Sequence, residues 1–391
     1  MGTIENRINS TMRRCWIGGL SLVAMCVATT TANAACNPKN LERAPLPSWI
    51  QQPDVRTLKT RGNVGEMPSS YLDVAISPEQ VQDVCTKKLK AAFLNWSAGA
   101  YNDAIVQGAK DALEAMNIEL VAVTNYNYNQ TQLANDVRDV MALRPDFIFY
   151  SGIDPTADRA ALQPAVDAGV GVVSFANAPG GWTAGRPSNF ITLLSYDTQG
   201  NGALLAREVA KKFPDGGKLG MIYFDANYKI VNEREQGFQD EIAKTDIEMA
   251  VRSPMSSPNS TQDITSAMLA RNSDLDVIFA PWDLPADGVI AALNAAGSKI
   301  AIAHIDLGFT GATQIACNKG PIFAMSSQLV YEWGRTGAIA AALHELGQPV
   351  PPYVMVPIFT ANKDNLKEAW DIAYGATAEL PAAAQKCLAA E

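Results

Sequence analysis

The 391-residue sequence has two histidines, His304 and His344, and no Cys-x-x-Cys spacing, so a zinc site would lack ligands. No Gly-x-Ser-x-Gly turn presents a nucleophilic serine, and no Gly-x-x-x-x-Gly-Lys loop is available to cradle a phosphate. His304 lies inside the apolar run Ile300–Ile305, which reads as core rather than as a general base. Positive charge is also scarce, with 31 Lys and Arg against 40 Asp and Glu and a net charge of −9. An acidic body repels nucleic acid and anionic lipid, so neither is expected as a partner. These absences argue against an enzyme, and no catalytic residue, metal or cofactor is assigned.

No apolar run reaches the roughly 20 residues that span a bilayer. The longest lies near the N-terminus, from Trp16 to Val27, after the basic pair Arg13-Arg14. It ends in small residues, where Ala32-Asn33-Ala34 has the form of a signal-peptidase site. We read residues 1–35 as a cleaved export leader, cut near Ala34 or Ala35, rather than as a membrane anchor. Its loss removes three arginines and one glutamate, taking the net charge from −9 to about −11. The expected compartment is the periplasm. Four cysteines remain, Cys36, Cys85, Cys317 and Cys387. Export favours disulfides, and three pairings are open. Cys36–Cys85 with Cys317–Cys387 is expected, since each would pin a terminal segment; four free thiols are the alternative.

Residues 36–88 carry turn signals at Pro45, Pro47, Pro53 and Gly62 without sustained periodicity, and read as an irregular extension packed on a domain. From Lys88 onward short apolar runs alternate with helical spacing. Strand-length runs fall at 91–94, 120–123, 147–150, 170–175, 190–194, 219–224, 277–280, 300–305 and 322–325. Helical patterns lie between them, for example Ile105/Ala109/Ala112/Leu113 and Leu133/Val137/Val140/Met141. Continuous apolar strands alternating with amphipathic helices imply parallel sheets covered on both faces. About ten units exceed one open sheet, so the expected fold class is α/β with two doubly wound parallel-sheet lobes.

In such sheets ligands sit beyond the carboxyl ends of the strands. Those positions carry Asn95-Trp96-Ser97, then Tyr101-Asn102, Asp154 and Asn177 in the first half. In the second half they carry Arg234, Trp282-Asp283, Asp306 and Gln328. Amides, carboxylates and one arginine can hydrogen-bond hydroxyls in pairs, while aromatic faces pack on the C–H face of a sugar ring. An Asp at a helix start also serves as a cap, so Asp154 and Asp306 have a structural reading beside the functional one.

From about Lys88 to Tyr374 the sequence resembles the type I periplasmic binding proteins of sugar ABC importers, near the ribose-binding group. The resemblance rests on Tyr101-Asn102-Asp103 before Gln107-Gly108-Ala109, Asp154-Pro155-Thr156-Ala157, Tyr196-Asp197 with Gly200 and Gly202, and Arg234-Glu235-Gln236-Gly237-Phe238. Ala280-Pro281-Trp282-Asp283 ending at Ala295-Ala296-Gly297, then Asp306 and Gln328, complete it. Departures are Ala176-Asn177 where the family often has a charged pair, Trp282 where it often has Asn, and Asn102 in place of an aromatic. The resemblance implies a hinge of three crossings, near Leu194–Asp197, Gln328–Val330 and Ile358–Ala361. It implies one lobe of residues 89–195 plus 329–358 and a second of 196–328 plus 359–391. It further implies a monomer that closes on a sugar-like or polyol ligand and delivers it to the permease subunits of an ABC importer. Presentation of the ligand to a chemoreceptor is the alternative reading.

Overall fold

The computed structural model describes residues 36–390 apart from Gln51, Pro53, Asn227, Ala376 and Thr377. The expected leader, residues 1–35, therefore lies outside the described residues. Most of the apolar runs become buried strands, that at 120–123 becomes a partly exposed edge strand, and the amphipathic segments become helices that cover the sheets.

In the first lobe the strands are β1 (Ser69–Ser70), β2 (Lys90–Asn95), β3 (Glu119–Asn125), β4 (Phe147–Ser151), β5 (Gly171–Phe175) and β6 (Phe190–Tyr196), joined later by β12 (Tyr353–Val356). They form one parallel sheet in the order β1-β12-β6-β5-β4-β2-β3. The helices α1 (Pro78–Cys85), α2 (Ala100–Ala115), α3 (Gln130–Met141) and α4 (Pro155–Asp167) precede β5 in the chain.

The second sheet contains β7 (Gly217–Phe224), β8 (Ile247–Met255), β9 (Val277–Ala280), β10 (Ala301–Ile305), β11 (Ile322–Gln328) and β13 (Ile358–Ala361), in the order β13-β11-β10-β9-β7-β8. Only β13 runs antiparallel, against β11. Its helices are α5 (Thr198–Lys212), α6 (Lys229–Ile242), α7 (Thr261–Arg271), α8 (Asp283–Ala296) and α9 (Phe309–Cys317). Then α10 (Val330–Glu345) returns to the first lobe, and α11 (Leu366–Tyr374) and α12 (Ala382–Leu388) close the chain. This is the two-lobed, doubly wound α/β architecture. The chain passes between the sheets three times, at Asp197 after β6, at Leu329 after β11 and at Pro357 after β12.

Several elements were not visible as sequence patterns. Strand β8 is a half-buried edge strand containing Arg252 and Pro254, so it lacks the continuous apolar run that marks central strands. Helix α1 is short, but its Ser77-Pro78-x-Gln80 start forms a complete capping box.

Each lobe is built around one very close helix pair, and glycine permits both. A Cβ on Gly202 of α5 would fall 1.8 Å from the Arg234 carbonyl of α6, and one on Gly237 would fall 1.9 Å from the Gln199 carbonyl. In the first lobe, Gly334 of α10 faces the Ile105 carbonyl at 1.8 Å, and Gly108 of α2 faces the Tyr331 carbonyl at 1.9 Å. A methyl group at any of these points would meet backbone, which cannot swing aside.

The structure brings Cys36 beside Cys85 and Cys317 beside Cys387, with Cα–Cα distances of 6.3 and 4.9 Å that suit disulfides. We expect the protein folded under oxidising conditions to show no reactive thiol at these four residues until it is reduced, as read by alkylation and intact mass. Gly202→Ala is expected to destabilise the protein by about 1–3 kcal/mol or more, read as a lower denaturation midpoint, because α6 must move off α5.

Candidate ligand-binding cleft

In both sheets the chain order reverses at an equivalent place, between β2 and β4 in the first and between β7 and β9 in the second. The loops leaving such a pair diverge to opposite faces and open a crevice at the carboxyl ends of the strands. At the first switch point Trp96 and Ser97 follow β2, and at the second Phe224 ends β7 and Trp282 follows β9.

The polar centre comes from the second lobe. Arg234, on the α6 face that Gly202 presses against α5, is only 5% exposed. Its Nη1 donates to Asp306 Oδ2 at 3.0 Å. Burial would lower the Arg234 pKa, but the oxygens of Tyr196, Asp306 and Tyr101 around it reverse this and raise it, so the group stays charged. Asp306 follows β10 in the left-handed region, with φ 69°, a conformation that Asp tolerates better than most residues. Its amide donates to Ser326 O of the neighbouring strand at 2.7 Å, which fixes the bend. Arg234 Nε and Asp306 Oδ1 are buried without a hydrogen-bond partner. Such groups are costly unless something satisfies them, and here they belong to one ion pair.

Gln328 reaches this centre from the end of β11. Its Nε2 donates to the Tyr101 hydroxyl of the first lobe, and its Oε1 accepts from Asn201 Nδ2 at 3.3 Å. Burial, followed by the nearby Asp306 charge, drives the Tyr101 hydroxyl well above its usual pKa, so it remains a neutral donor. Asp283, at the start of α8, has its pKa pushed up to about 6 by burial and by Asp306.

Aromatic rings occupy both lobes around these groups. Trp282 stands edge-on to Phe224 with centroids 5.5 Å apart, and Phe224 contacts Tyr228 at 6.4 Å. In the first lobe Trp96 contacts Tyr101 at 6.4 Å. Asn102 donates to Ser97 Oγ at 2.9 Å, which pins the loop after β2 to the start of α2.

The remaining expected positions have different surroundings. Asn95 is 1% exposed; its amide donates to Ser97 O at 3.0 Å and accepts from the Trp96 N–H at 3.0 Å, so it shapes the loop. Asn177 follows Ala176, whose φ is 72°, and donates to Gly152 O at 3.0 Å. Its carbonyl accepts from the Tyr150 and Ser174 hydroxyls, so it ties the ends of β4 and β5 together. Asp154 caps α4 through one oxygen that accepts from Thr156 N and Ala157 N at 2.8 and 2.9 Å. Phe224, Tyr228, Tyr196 and Asn201 were not among the expected residues. Phe224 ends a strand already recognised at 219–224 and Tyr228 follows it, so reading that strand end itself and the residues just past it would have found them.

The family described as "Periplasmic binding protein domain" matches residues 91–349 by sequence profile. The chain belongs to this family. Among curated relatives, the ribose import binding protein of Escherichia coli (strain K12) is 22% identical over 282 residues, which is 71% of this chain and 92% of that protein. Among solved structures, an ABC transporter solute binding protein from Agrobacterium vitis bound with alpha-D-tagatopyranose superposes with a TM-score of 0.66 and 23% identity. The match covers 74% of this chain and 100% of that one. The 5-methylthioribose transporter solute binding protein from Thermotoga lettingae superposes with a TM-score of 0.61 and 17% identity, covering 78% and 98%. These likenesses establish the periplasmic binding protein fold, and the family is one of solute-binding rather than catalytic proteins.

Glu235, next to Arg234, supports the cleft wall from behind. It is 5% exposed and its Oε1 accepts from the Phe224 amide at 2.8 Å. Burial pushes its pKa up to about 7, although the Phe224 N–H pulls the other way. Unfolded glutamate titrates near 4.3. As pH rises from about 4.5 to 7 the unfolded chain loses this proton first, so the group's contribution to stability falls. Glu235→Gln keeps the acceptor and removes the charge. The stability of the variant relative to the parent is expected to rise by up to about 3 kcal/mol between pH 5 and pH 8, measured by denaturant titration.

Proposed function

We propose that this protein is the periplasmic solute-binding component of an ABC importer and captures a small sugar or sugar-like polyol between its lobes. The observation that carries this reading is the buried Arg234–Asp306 pair, with Arg234 Nε and Asp306 Oδ1 left unpartnered beside Gln328 and Tyr101. Adjacent hydroxyls on a sugar ring can donate to a carboxylate oxygen and accept from a guanidinium N–H at the same time. Trp282, Phe224 and Trp96 offer apolar surfaces for the ring or for an alkyl substituent. Curated relatives are named as ribose import binding proteins, and solved neighbours hold tagatopyranose, allose and 5-methylthioribose.

In this reading the leader is removed near Ala34 or Ala35, and the mature protein acts as a monomer. Solute meets Trp96 and Tyr101 on the first lobe, and rotation about Asp197, Leu329 and Pro357 brings Arg234, Trp282, Asp283 and Asp306 over it. Hinge closure around a ligand is the general behaviour of periplasmic binding proteins. The closed form is then delivered to the permease subunits. A micromolar dissociation constant needs about 8 kcal/mol. A few charge-assisted hydrogen bonds of about 1.5–3 kcal/mol each, with ring packing, reach that figure.

A thermal-shift panel of pentoses, hexoses, deoxy and alkylthio sugars and polyols tests the proposal. A true ligand at 100 times its dissociation constant is expected to add about 2.7 kcal/mol of stability. Arg234→Ala and Asp306→Ala are each expected to weaken binding by roughly 10- to 150-fold, the loss of one charge-assisted bond. A panel without hits, or a shift that survives both replacements, would overturn the assignment.

A further inference from the structure

The segment ahead of the family-matched region is neither a loose tail nor a simple cover for one lobe. It is fixed to the first lobe at both ends. At its start, Asn37 N donates to Ala115 O at 3.0 Å, and Cys36 lies beside Cys85. Arg43 pairs with Glu332 on the first turn of α10 and donates to Thr336 Oγ1 of the same helix at 3.2 Å, while Val74 O and the Tyr71 ring hold its guanidinium from within the segment. Arg335 returns the contact by donating to Glu42 O at 2.7 Å. At its far end, Ser69 and Ser70 pair with Val354 and Met355, which adds β1 to the edge of the first sheet beside the Pro357 crossing.

Between these anchors the segment leaves the first lobe. The Trp49 ring stands edge-on to Phe359 of β13, with centroids 5.8 Å apart, and its Nε1 donates to Glu368 of α11 at 2.7 Å. Both partners follow the last crossing; Phe359 belongs to a strand of the second sheet. Returning, the buried Thr60 donates to Asp197 Oδ1 at 2.9 Å. Asp197 is the first crossing itself, and the same oxygen caps α5 through Gly200 N at 3.0 Å. Arg43 and Arg335 act within seven residues of the second crossing at Leu329. All three crossings are thus bordered by one segment that grips both lobes.

We propose that residues 37–75 form a strap across the hinge that restricts the range of movement between the lobes. Rotation of the second lobe carries Phe359 away from anchors fixed on α10 and β12, so the strap must deform or release Trp49. This resists wide excursions whatever solute the cleft binds.

The test needs no solute. Spin labels are placed through a genetically encoded keto amino acid at the exposed Lys110 on α2 and the exposed Lys244 after α6, which leaves the cysteines untouched. Interlobe distances are then measured by pulsed dipolar spectroscopy on the full mature chain. Trp49→Ala is expected to broaden the distribution and to populate separations absent from the parent. Glu368→Ala removes only an exposed acceptor, so the fold is preserved, and it is expected to broaden the distribution to a lesser degree. If folded Trp49→Ala matches the parent in width, the proposal fails. If Trp49→Ala does not fold, an unbroadened Glu368→Ala overturns it. Failure of the sugar panel with broadened distributions would leave the strap standing and remove only the solute assignment.

Discussion

A buried ion pair with spare hydrogen-bonding capacity is the constraint around which the second lobe is organised. Removing a guanidinium and a carboxylate from water costs several kcal/mol per ion unless their geometry and further hydrogen bonds offset it. Here the pair at 3.0 Å leaves Arg234 Nε and Asp306 Oδ1 unpartnered. To hold it, α6 lies so close to α5 that only glycine fits at Gly202 and Gly237, and the chain turns through a left-handed conformation at Asp306. The two devices lie at different points in the chain and converge on one pair.

The first lobe repeats the same design with a different emphasis. Its glycine-mediated crossing of α2 and α10 places Tyr101 beside the hinge, and its own left-handed turn at Ala176 leads to Asn177. There the Asn177 side chain donates to Gly152 O, and its backbone carbonyl accepts from the Tyr150 and Ser174 hydroxyls, so the residue is spent internally. The lobes are therefore alike in topology but unequal in chemistry: the second carries the charged pair, while the first contributes Trp96, Tyr101 and the Ser97 loop. Gln328 links them, touching Tyr101 on one side and Asn201 on the other.

Burial also shapes the titration of the cleft wall. Glu235 and Asp283 both have raised pKa values, near 7 and 6: burial raises each, Asp306 adds to the shift of Asp283, and Arg234 and Arg252 offset only part of that of Glu235. Glu235 accepts the Phe224 amide and so places an aromatic ring at the topological switch point of the second sheet. Backbone placement, ring placement and proton affinity are linked through this one side chain.

By itself the sequence determined the fold class, because continuous apolar strands alternating with amphipathic helices leave few ways to bury both faces of a sheet. It also pointed to Trp282, Asp306 and Gln328, since strand ends can be located from periodicity, and to Arg234 in the helix that follows β7. Three things were left to tertiary structure. What a strand-end side chain meets depends on neighbours distant in the chain: Gln328 meets Tyr101 and Asn201, whereas Asn95 and Asn177 bond backbone groups of their own lobe. The edge strand β8 was hidden because a half-exposed strand has no continuous apolar run. The role of residues 36–88 was illegible because its contacts, Trp49 with Glu368 and Thr60 with Asp197, join positions more than one hundred residues apart. Local patterning records which face of an element is buried, but only the folded chain decides what that face meets.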